Sequence, residues 1–393
     1  MTIPRLQCQS CRKYFLITQT ENLRDLDCPC GVNITNALKR IATLCGASWP
    51  YEQAEKVIRE LTGVEVSHDH IKNLCESEAK VIGEEQQQIY NMRVDAVIGE
   101  AVDCFAFNDS DADSTCEKRN EANSNKIEKA NAKNNLFYIG MDGVYVGEVR
   151  REKFIEAKVG IVFTDERATI SKGRNILLNK QYVGTFNDSN KFGEKLYCCA
   201  KDMGISEQTE LVILGDGARW IWRLARMRYP FATLILDWWH LKQRVWETID
   251  YLKQTHFFSD KDALRWGRRL VRMLWHGETN GALKFVLKLG EQLKIEFPVT
   301  ARERNELNRK SLPLLYEYIS NNQEAVVNYQ EKKEDGYFVS SVFAEKAIDV
   351  LVCRRQKCRG MNWSRSGAEN IITLRTLILN DEWENHWEHK QAA

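Results

Sequence analysis

The sequence predicts an α/β protein with a mixed sheet and a long all-helical insertion. Two short aliphatic runs, 211–214 and 234–236, each lead to a carboxylate, which is Asp216 after the first run and Asp237 after the second. Short, continuously apolar segments of this kind are typical of buried parallel strands. Ligands bind at the carboxyl ends of such strands, so we expect both acids at a functional edge. A helical pattern then predicts the insertion at about 241–355.

The composition is that of an ordinary globular protein with room for two or three domains. Of its 393 residues, 43% are hydrophobic and 28% are charged, and the formal charge of +1 predicts no overall field for a polyanion. The N-terminus lacks the apolar core of a signal peptide, and no stretch approaches the roughly 20 apolar residues of a membrane span. We therefore expect a cytoplasmic protein without a membrane segment. Its 12 cysteines are then metal ligands or core residues rather than disulfides.

The first segment, 1–33, contains two close pairs of cysteines. Two such pairs can place four thiolates around a tetrahedral Zn²⁺, and so short a segment needs a metal to fold. We interpret it as a zinc ribbon, although the second pair is separated by only one residue. Two unrelated pairs of reduced thiols in a flexible tail are the alternative. The zinc ligands predicted are Cys8, Cys11, Cys28 and Cys30.

Residues 34–95 follow a helical pattern. Two amphipathic stretches precede a glycine-containing turn at 62–66, and Ser67 is placed to cap a third helix. These are the ingredients of a helix-turn-helix that binds DNA, and a plain helical hairpin is the alternative. In the DNA-binding interpretation, the start of the third helix offers four side chains to a groove, namely His68, His70, Lys72 and Asn73.

A polar and charged segment, 96–135, is predicted to be a linker, because its residues 108–135 contain almost no large apolar side chains. The catalytic domain is assigned to 136–393. Its first part is predicted to contain a strand at 136–147 that is interrupted by Asp142-Gly143, further strands at 156–163 and 181–185, and a helix at 189–203.

Three carboxylates in this domain are candidates for one site: Asp142 in the first strand, Asp216 after a later strand, and Glu369 on a helix far downstream. Asp-Gly is above all a turn dipeptide, so each of the first two acids is weak evidence alone. Together, an antiparallel meander, a helix and a further strand with acids at these places form the layout of an RNase H-like domain. Three carboxylates suffice to hold two Mg²⁺ ions about 4 Å apart, which suits phosphoryl transfer.

Four segments, MDGVYVG, LVILGDGARWIW, LDWWHL and MNWSRSGAENIITLR, closely resemble the DDE transposases of bacterial insertion sequences, in particular the ISKra-type family. More distantly, they resemble the Mutator-like and hAT groups. The resemblance covers essentially the whole chain and implies that the catalytic, metal-binding acids are Asp142, Asp216 and Glu369. Related groups place an Asp-x-x-His signature after the second acid, and Asp237 to His240 match it.

The resemblance implies a nucleoid-associated enzyme that binds the terminal inverted repeats of a transposon and target DNA. Its cofactors would be Mg²⁺ or Mn²⁺ and structural Zn²⁺. Synapsis of two DNA ends makes a homo-oligomer, at least a dimer, the expected assembly. Two alternatives stay open, namely a structure-selective nuclease of the same fold and a non-catalytic DNA-binding regulator derived from a transposase.

Several residues are assigned supporting functions. Asp237 and His240 lie one helical turn apart, so we expect them to position DNA or a catalytic acid. Arg219 would contact a phosphate or form a salt bridge with a nearby acid. The tryptophans near the acids would fill the core or stack on unpaired bases. A cluster of arginines in the insertion would bind phosphates or form a solvated helix face, and it comprises Arg265, Arg268, Arg269 and Arg272.

Overall fold

In the structure, a computed structural model, a mixed sheet is covered by helices on both faces. None of the helices in the described part of the chain is long and apolar enough to cross a membrane. The described residues are 5–7, 14–16, 34–105, 136–149, 153–171, 174–256, 258–298 and 301–392.

Two short strands come first, β1 (Arg5–Gln7) and β2 (Tyr14–Leu16), and they pair antiparallel. The zinc-ribbon prediction stays a prediction, because its four ligands lie outside the described residues. These ligands are Cys8, Cys11, Cys28 and Cys30.

Three helices follow: α1 (Asn36–Ser48), α2 (Tyr51–Thr62) and α3 (His68–Phe105). The hydroxyl of Ser67 accepts a hydrogen bond from the backbone amide of His70 at 3.3 Å, so the predicted cap of the third helix is present. This helix extends ten residues into the segment assigned to the linker. The remainder of that segment, 106–135, lies outside the described residues.

The central sheet has the strand order β7 (Lys180–Thr185), β4 (Phe154–Thr164), β3 (Leu136–Glu148), β8 (Glu210–Gly215) and β9 (Thr233–Leu236), and a short strand, β10 (Asn362–Trp363), extends it beside the end of β3. Strands β3, β4 and β7 form an antiparallel meander, whereas β8 and β9 run parallel to β3. The elements up to this point are β3 (Leu136–Glu148), β4 (Phe154–Thr164), β5 (Arg167–Ser171), β6 (Arg174–Leu177), β7 (Lys180–Thr185), α4 (Ser189–Asp202), β8 (Glu210–Gly215), α5 (Arg219–Arg228) and β9 (Thr233–Leu236).

The prediction of an α/β protein with a mixed sheet is confirmed, with two local differences. Strand β3 runs without interruption through Asp142 and Gly143, because it is paired with β4 along this stretch and the ladder holds the Asp-Gly dipeptide extended. The two-stranded hairpin β5–β6, which the sequence did not predict, lies between β4 and β7 along the chain.

The rest of the chain is almost entirely helical. Two tyrosines of this region donate hydrogen bonds to carbonyls at strand ends: Tyr318 to Asp216 at 2.7 Å and Tyr329 to Leu236 at 2.9 Å. The helical region therefore fixes the strand ends. Its elements are α6 (Trp238–His256), α7 (Asp260–Trp275), α8 (Thr279–Leu293), α9 (Ala301–Glu306), α10 (Leu312–Asn321), α11 (Tyr329–Glu334), α12 (Val342–Ile348), a π-helical turn (Asp349–Cys353), α13 (Arg354–Gln356), β10 (Asn362–Trp363), α14 (Arg365–Leu379) and α15 (Trp383–Ala392).

The N-terminal helices pack on the C-terminal part of the chain, since α1 and α3 both contact α14. The side chain of Arg355, 1% exposed, donates a hydrogen bond from Nε to the carbonyl of Gly46 at 3.0 Å. Its guanidinium lies over the rings of Tyr51 and Trp363, at 4.9 and 5.0 Å from their centroids. Arg355 thus holds α1 and α2 against the segment before α14.

We expect Arg355→Ala to lower the free energy of unfolding by about 3 kcal/mol, because it removes a buried hydrogen bond, two cation–π contacts and the packing of a large side chain. Urea denaturation monitored by circular dichroism measures this change. The matched control is Arg354→Ala, whose side chain is 59% exposed and pairs with Asp349, and which should cost less than about 1 kcal/mol. Equal effects of the two substitutions would contradict this account.

Candidate functional site

The structure brings two of the three predicted catalytic acids together. Gly140 of β3 is the parallel partner of Leu214 in β8, and continuing this register by two residues sets Asp142 beside Asp216. Alternate side chains of a strand lie on opposite faces, so Asp142 shares a face with Gly140. A Cβ atom on Gly140 would lie 3.3 Å from the Cβ of Ala344, so helix α12 covers this face.

The two carboxylates influence each other electrostatically. Burial raises the pKa of Asp142 to about 6, and the nearby negative charge of Asp216 acts in the same direction. The backbone amide of Gly143 donates to Asp142 Oδ1 at 2.6 Å, which favours the charged form. A cation beside this pair would offset the repulsion between them.

A tight turn presents Asp216 at the end of β8. Its Oδ1 accepts a hydrogen bond from the backbone amide of Ala218 at 2.9 Å. Gly217 between them has a φ of +98°, and a Cβ there would lie 2.8 Å from Tyr318 and 3.0 Å from Asn322. Glycine is therefore required at 217 both by the backbone conformation and by the space.

Asp237, at the end of β9, is fully buried and is the N-terminal capping residue of α6. Its Oδ1 accepts from the backbone amide of His240 at 3.0 Å, and its Oδ2 accepts from the amide of Ser341 at 2.5 Å and from the hydroxyl of Ser340 at 3.3 Å. Burial alone would raise the pKa of Asp237, but hydrogen bonds from His240 and Ser341 outweigh it and lower the pKa to about 2.

His240 lies between two further carboxylates next to the acid pair. Its Nδ1 lies 3.5 Å from Asp237 Oδ2, and its Nε2 lies 3.7 Å from a carboxylate oxygen of Glu345. The interaction with Asp237 raises the pKa of His240 to about 9, and the charges of Glu345 and Asp216 add to the shift. Asp237 and His240 are therefore close together, as predicted. The raised pKa of His240 favours a positively charged imidazole at this edge of the sheet.

Glu345 is the residue at this site that sequence reasoning missed. It lies on α12, which packs against β3 and β4, and it is about half exposed. Its negative charge contributes to the raised pKa of Asp142. Its helix has seven residues and no recognisable motif, so the sequence carried no signal for its position.

Glu369 is bonded to residues at the end of β7 and on α4. Its carboxylate accepts hydrogen bonds from the hydroxyl of Thr185 at 2.8 and 2.9 Å and from the backbone amide of Phe186 at 2.6 Å. It also pairs with Lys195 at 3.0 Å. These contacts fix Glu369 at the end of β7, the edge strand of the sheet.

Sheet register places Thr185, the main partner of Glu369, two strands away from the acid pair. Thr185 is the partner of Lys158, and Lys158 is the partner of Gly143, so Thr185 lies two strands away from β3, a backbone separation of about 10 Å. Helix α14 itself lies over the face of Asp142, because Gly184, which pairs with Val159 and through it with Asp142, would meet Ile372 of α14 at 2.5 Å if it carried a Cβ atom. Among the described residues, no three Asp, Glu, His or Cys side chains form a group that could hold a metal ion.

Arg219 forms a salt bridge with an acid, which is one of the two alternatives predicted for it. Its Nη2 lies 3.2 Å from Glu317, and its side chain is 79% exposed. Of the tryptophans near the acids, three pack against the protein and the fourth, Trp239, is 60% exposed. The packed ones are Trp220, Trp222 and Trp238.

The residues predicted to bind DNA lie on the surface at the start of α3. His68 is exposed and forms a hydrogen bond with Glu55 at 3.0 Å, and Lys72 lies 3.9 Å from Glu76. Asn73 is exposed and His70 is half-buried.

The four arginines of α7 share one exposed stripe, because they are spaced three and four residues apart. Two of them have contacts within the protein. Arg265 pairs with Asp262 at 2.9 Å, and the guanidinium of Arg269 lies 4.8 Å from the ring centroid of Phe285. The other two, Arg268 and Arg272, line a cleft against α6.

We expect the NMR titration midpoint of His240 to be about 9 and to fall toward the ordinary value of about 6.5 in Asp237→Asn. The raised pKa of His240 contributes stability below about pH 6.5 that is lost as the pH rises through 9. The lowered pKa of Asp237 contributes stability above about pH 4 that is lost as the pH falls toward 2.

The same substitution should lower the free energy of unfolding at pH 7 by about 3 kcal/mol, because it breaks a buried charge network. Urea denaturation measures this cost. The control, Asp250→Asn, changes an exposed acid on the same helix and should leave the His240 midpoint and the stability unchanged. A wild-type midpoint near the ordinary value for histidine would contradict the described ion pair.

A comparison of the chain with curated proteins found no match. A family model described as "Uncharacterised protein family (UPF0236)" matches residues 112–391, which is more than two thirds of the chain. The match includes the whole sheet and both acids of the pair. The protein is therefore a member of the UPF0236 family.

Proposed function

We propose that the protein is a DNA transposase that cleaves and joins DNA by metal-dependent phosphoryl transfer on an RNase H-like domain. The observation that carries the proposal is the adjacency of Asp142 and Asp216 on neighbouring strands and on one sheet face. Support also comes from the order of elements, an antiparallel meander, a helix and further parallel strands, which is the order expected for this fold.

The acid pair suits Mg²⁺ or Mn²⁺ because both ions prefer carboxylate oxygens and keep several waters. One or two carboxylates together with the phosphates of the substrate are a usual ligand set for Mg²⁺. The like-charge repulsion that helps raise the pKa of Asp142 is relieved by a bound cation. Such an ion would activate the attacking oxygen and stabilise the leaving oxygen of an in-line displacement.

The other residues at this edge act on the DNA itself. Protonated His240 offers a positive charge to a phosphate beside the acid pair, while Asp237 fixes the orientation of its ring. Water attacks first and frees a 3′-hydroxyl, and this hydroxyl then attacks a phosphate of the target DNA. Each displacement breaks one P–O bond and forms another, so no further reactant is required.

Glu369 is the third acid in this proposal, as the resemblance implies. To reach a metal ion held by Asp142, the carboxylate of Glu369 must lose its hydrogen bonds with Thr185 and Phe186 and its ion pair with Lys195. We propose that binding of DNA to the N-terminal helices causes this change, because α14 packs on both α1 and α3.

The N-terminal region would recognise the terminal inverted repeats. We assign the zinc ribbon (1–33) and the helix-turn-helix (34–95) to this task, with the start of α3 facing the groove. The enzyme would act as a homo-oligomer, at least a dimer, on two ends and a target, and would be nucleoid-associated in the cytoplasm.

Purified protein should nick DNA that contains the transposon ends when Mg²⁺ or Mn²⁺ is present. We expect Asp142→Asn and Asp216→Asn each to lower the rate of nicking by about 100-fold or more, with end binding retained. Asp349→Asn is the matched control, since that exposed acid pairs only with Lys346 and Arg354 among the described residues. Nicking without strand transfer would favour the nuclease alternative, and end binding without nicking would favour the regulator.

Glu369→Gln separates a catalytic from a structural function of this acid. We expect it to lower nicking as strongly as Asp142→Asn, with unchanged end binding. Thr185→Val is the control, because it removes the hydroxyl that donates to the carboxylate of Glu369 and leaves the carboxylate itself unchanged. Full activity of Glu369→Gln would limit the catalytic acids to Asp142 and Asp216.

A further inference from the structure

A cleft of 440 Å³ lies between α6 and α7, away from the acid pair. Its walls combine aromatic rings with positively charged side chains. The main lining residues are Trp238, Lys242, Trp246, Arg268, Arg272 and Trp275.

The aromatic walls of the cleft are held by packing. The rings of Trp238 and Trp275 meet at 4.7 Å in an edge-to-face arrangement, and Tyr329 stacks on Trp275 at 6.0 Å. On the other wall, Trp246 lies against Gly267, where an added Cβ would come within 2.4 Å of the indole ring. These rings are fixed surfaces, so a planar ligand can stack on them without ordering them first.

The cations at the cleft have no acidic partner among the described side chains. Lys242, Arg268 and Arg272 form no salt bridge within 4.0 Å in this part of the chain. Their neighbours on the same stripe differ, because Arg265 is paired with Asp262 and Arg269 lies over Phe285. Three unneutralised cations around an aromatic surface favour a ligand that carries both negative charge and flat apolar rings.

We propose that this cleft binds an unpaired nucleotide of single-stranded DNA. The base stacks against the tryptophans, and the flanking phosphates contact Arg268, Arg272 and Lys242. An uncharged apolar ligand would leave the three cations without a function, and a free phosphate would leave the aromatic walls without one. That the nucleic acid is DNA rests on the proposed function.

The position of the cleft suits a strand that also reaches the acids. Trp238, Lys242 and Trp246 are four residues apart and line one side of α6, whereas His240 lies on nearly the opposite side. The cleft and the acid pair are therefore separated by one helix, about 10 Å across. DNA that is unpaired next to the cleavage site can occupy both places.

The test measures the affinity of the full-length protein for a fluorescein-labelled oligonucleotide by anisotropy, in EDTA so that no cleavage occurs. We expect Arg268→Ala/Arg272→Ala to weaken binding of single-stranded DNA about 10-fold or more. The slope of log affinity against log salt should fall by about 1.4. Arg226→Ala/Arg302→Ala is the charge-matched control, since both exposed arginines pair elsewhere with glutamates, and it should change affinity less than about 2-fold.

Stacking is tested on the wild-type protein, which avoids any loss of folding. A single abasic position placed in turn along a short oligonucleotide should weaken binding about 10-fold at one position. The proposal is overturned if the cleft variant and the control lose affinity equally, or if polyaspartate displaces the DNA as well as an unlabelled oligonucleotide does. Because no cleavage is measured, failure here leaves the proposed catalysis untouched.

Discussion

Asp237, whose carboxylate is buried, makes the hydrogen bonds on which the arrangement of this site depends. Its main-chain amide donates to the carbonyl of Gly215 at 2.8 Å, which fixes the end of β9 against the end of β8. Its side chain accepts hydrogen bonds from the start of α6 and from Ser341, which is 104 residues further along the chain. A buried charge costs several kcal/mol unless it is fully bonded, so the insertion must close onto this residue.

Closure of the insertion also determines the geometry of the acids. The hydroxyl of Tyr318 holds the carbonyl of Asp216, and the hydroxyl of Tyr329 holds that of Leu236. Burial raises the pKa of both tyrosines well above the ordinary value, so they stay protonated and keep donating. The helical region is thus a structural support of the sheet edge as well as the source of the cleft between α6 and α7.

The sequence predicted what depends on local patterns. Aliphatic runs located β8 and β9 together with the acids that follow them, and the periodicity of α7 placed its arginines on one stripe. What it did not predict depends on contacts between distant positions. Nothing local to Glu345 indicates that His240, which comes 105 residues earlier in the chain, is its neighbour. The resemblance of its segment to DDE transposases assigned Glu369 to the site. The partners of its carboxylate, Thr185 and Lys195, lie far away in the sequence and could not be predicted from it.

The position of Glu369 links the two halves of the proposed activity. Its helix, α14, is packed against β7 on one side and against α1 and α3 on another. Arg375 on the same helix donates to the carbonyls of Ala47 at 3.1 Å and Leu351 at 2.8 Å, so α14 is bonded to the end of α1 and to the π-helical turn. A ligand changes a conformational equilibrium only by its different affinities for the two states. In the proposed activity, DNA bound to the N-terminal helices would therefore move Glu369 toward Asp142 only if it bound more tightly when α14 has shifted. That difference in affinity would couple recognition of the ends to assembly of the acids.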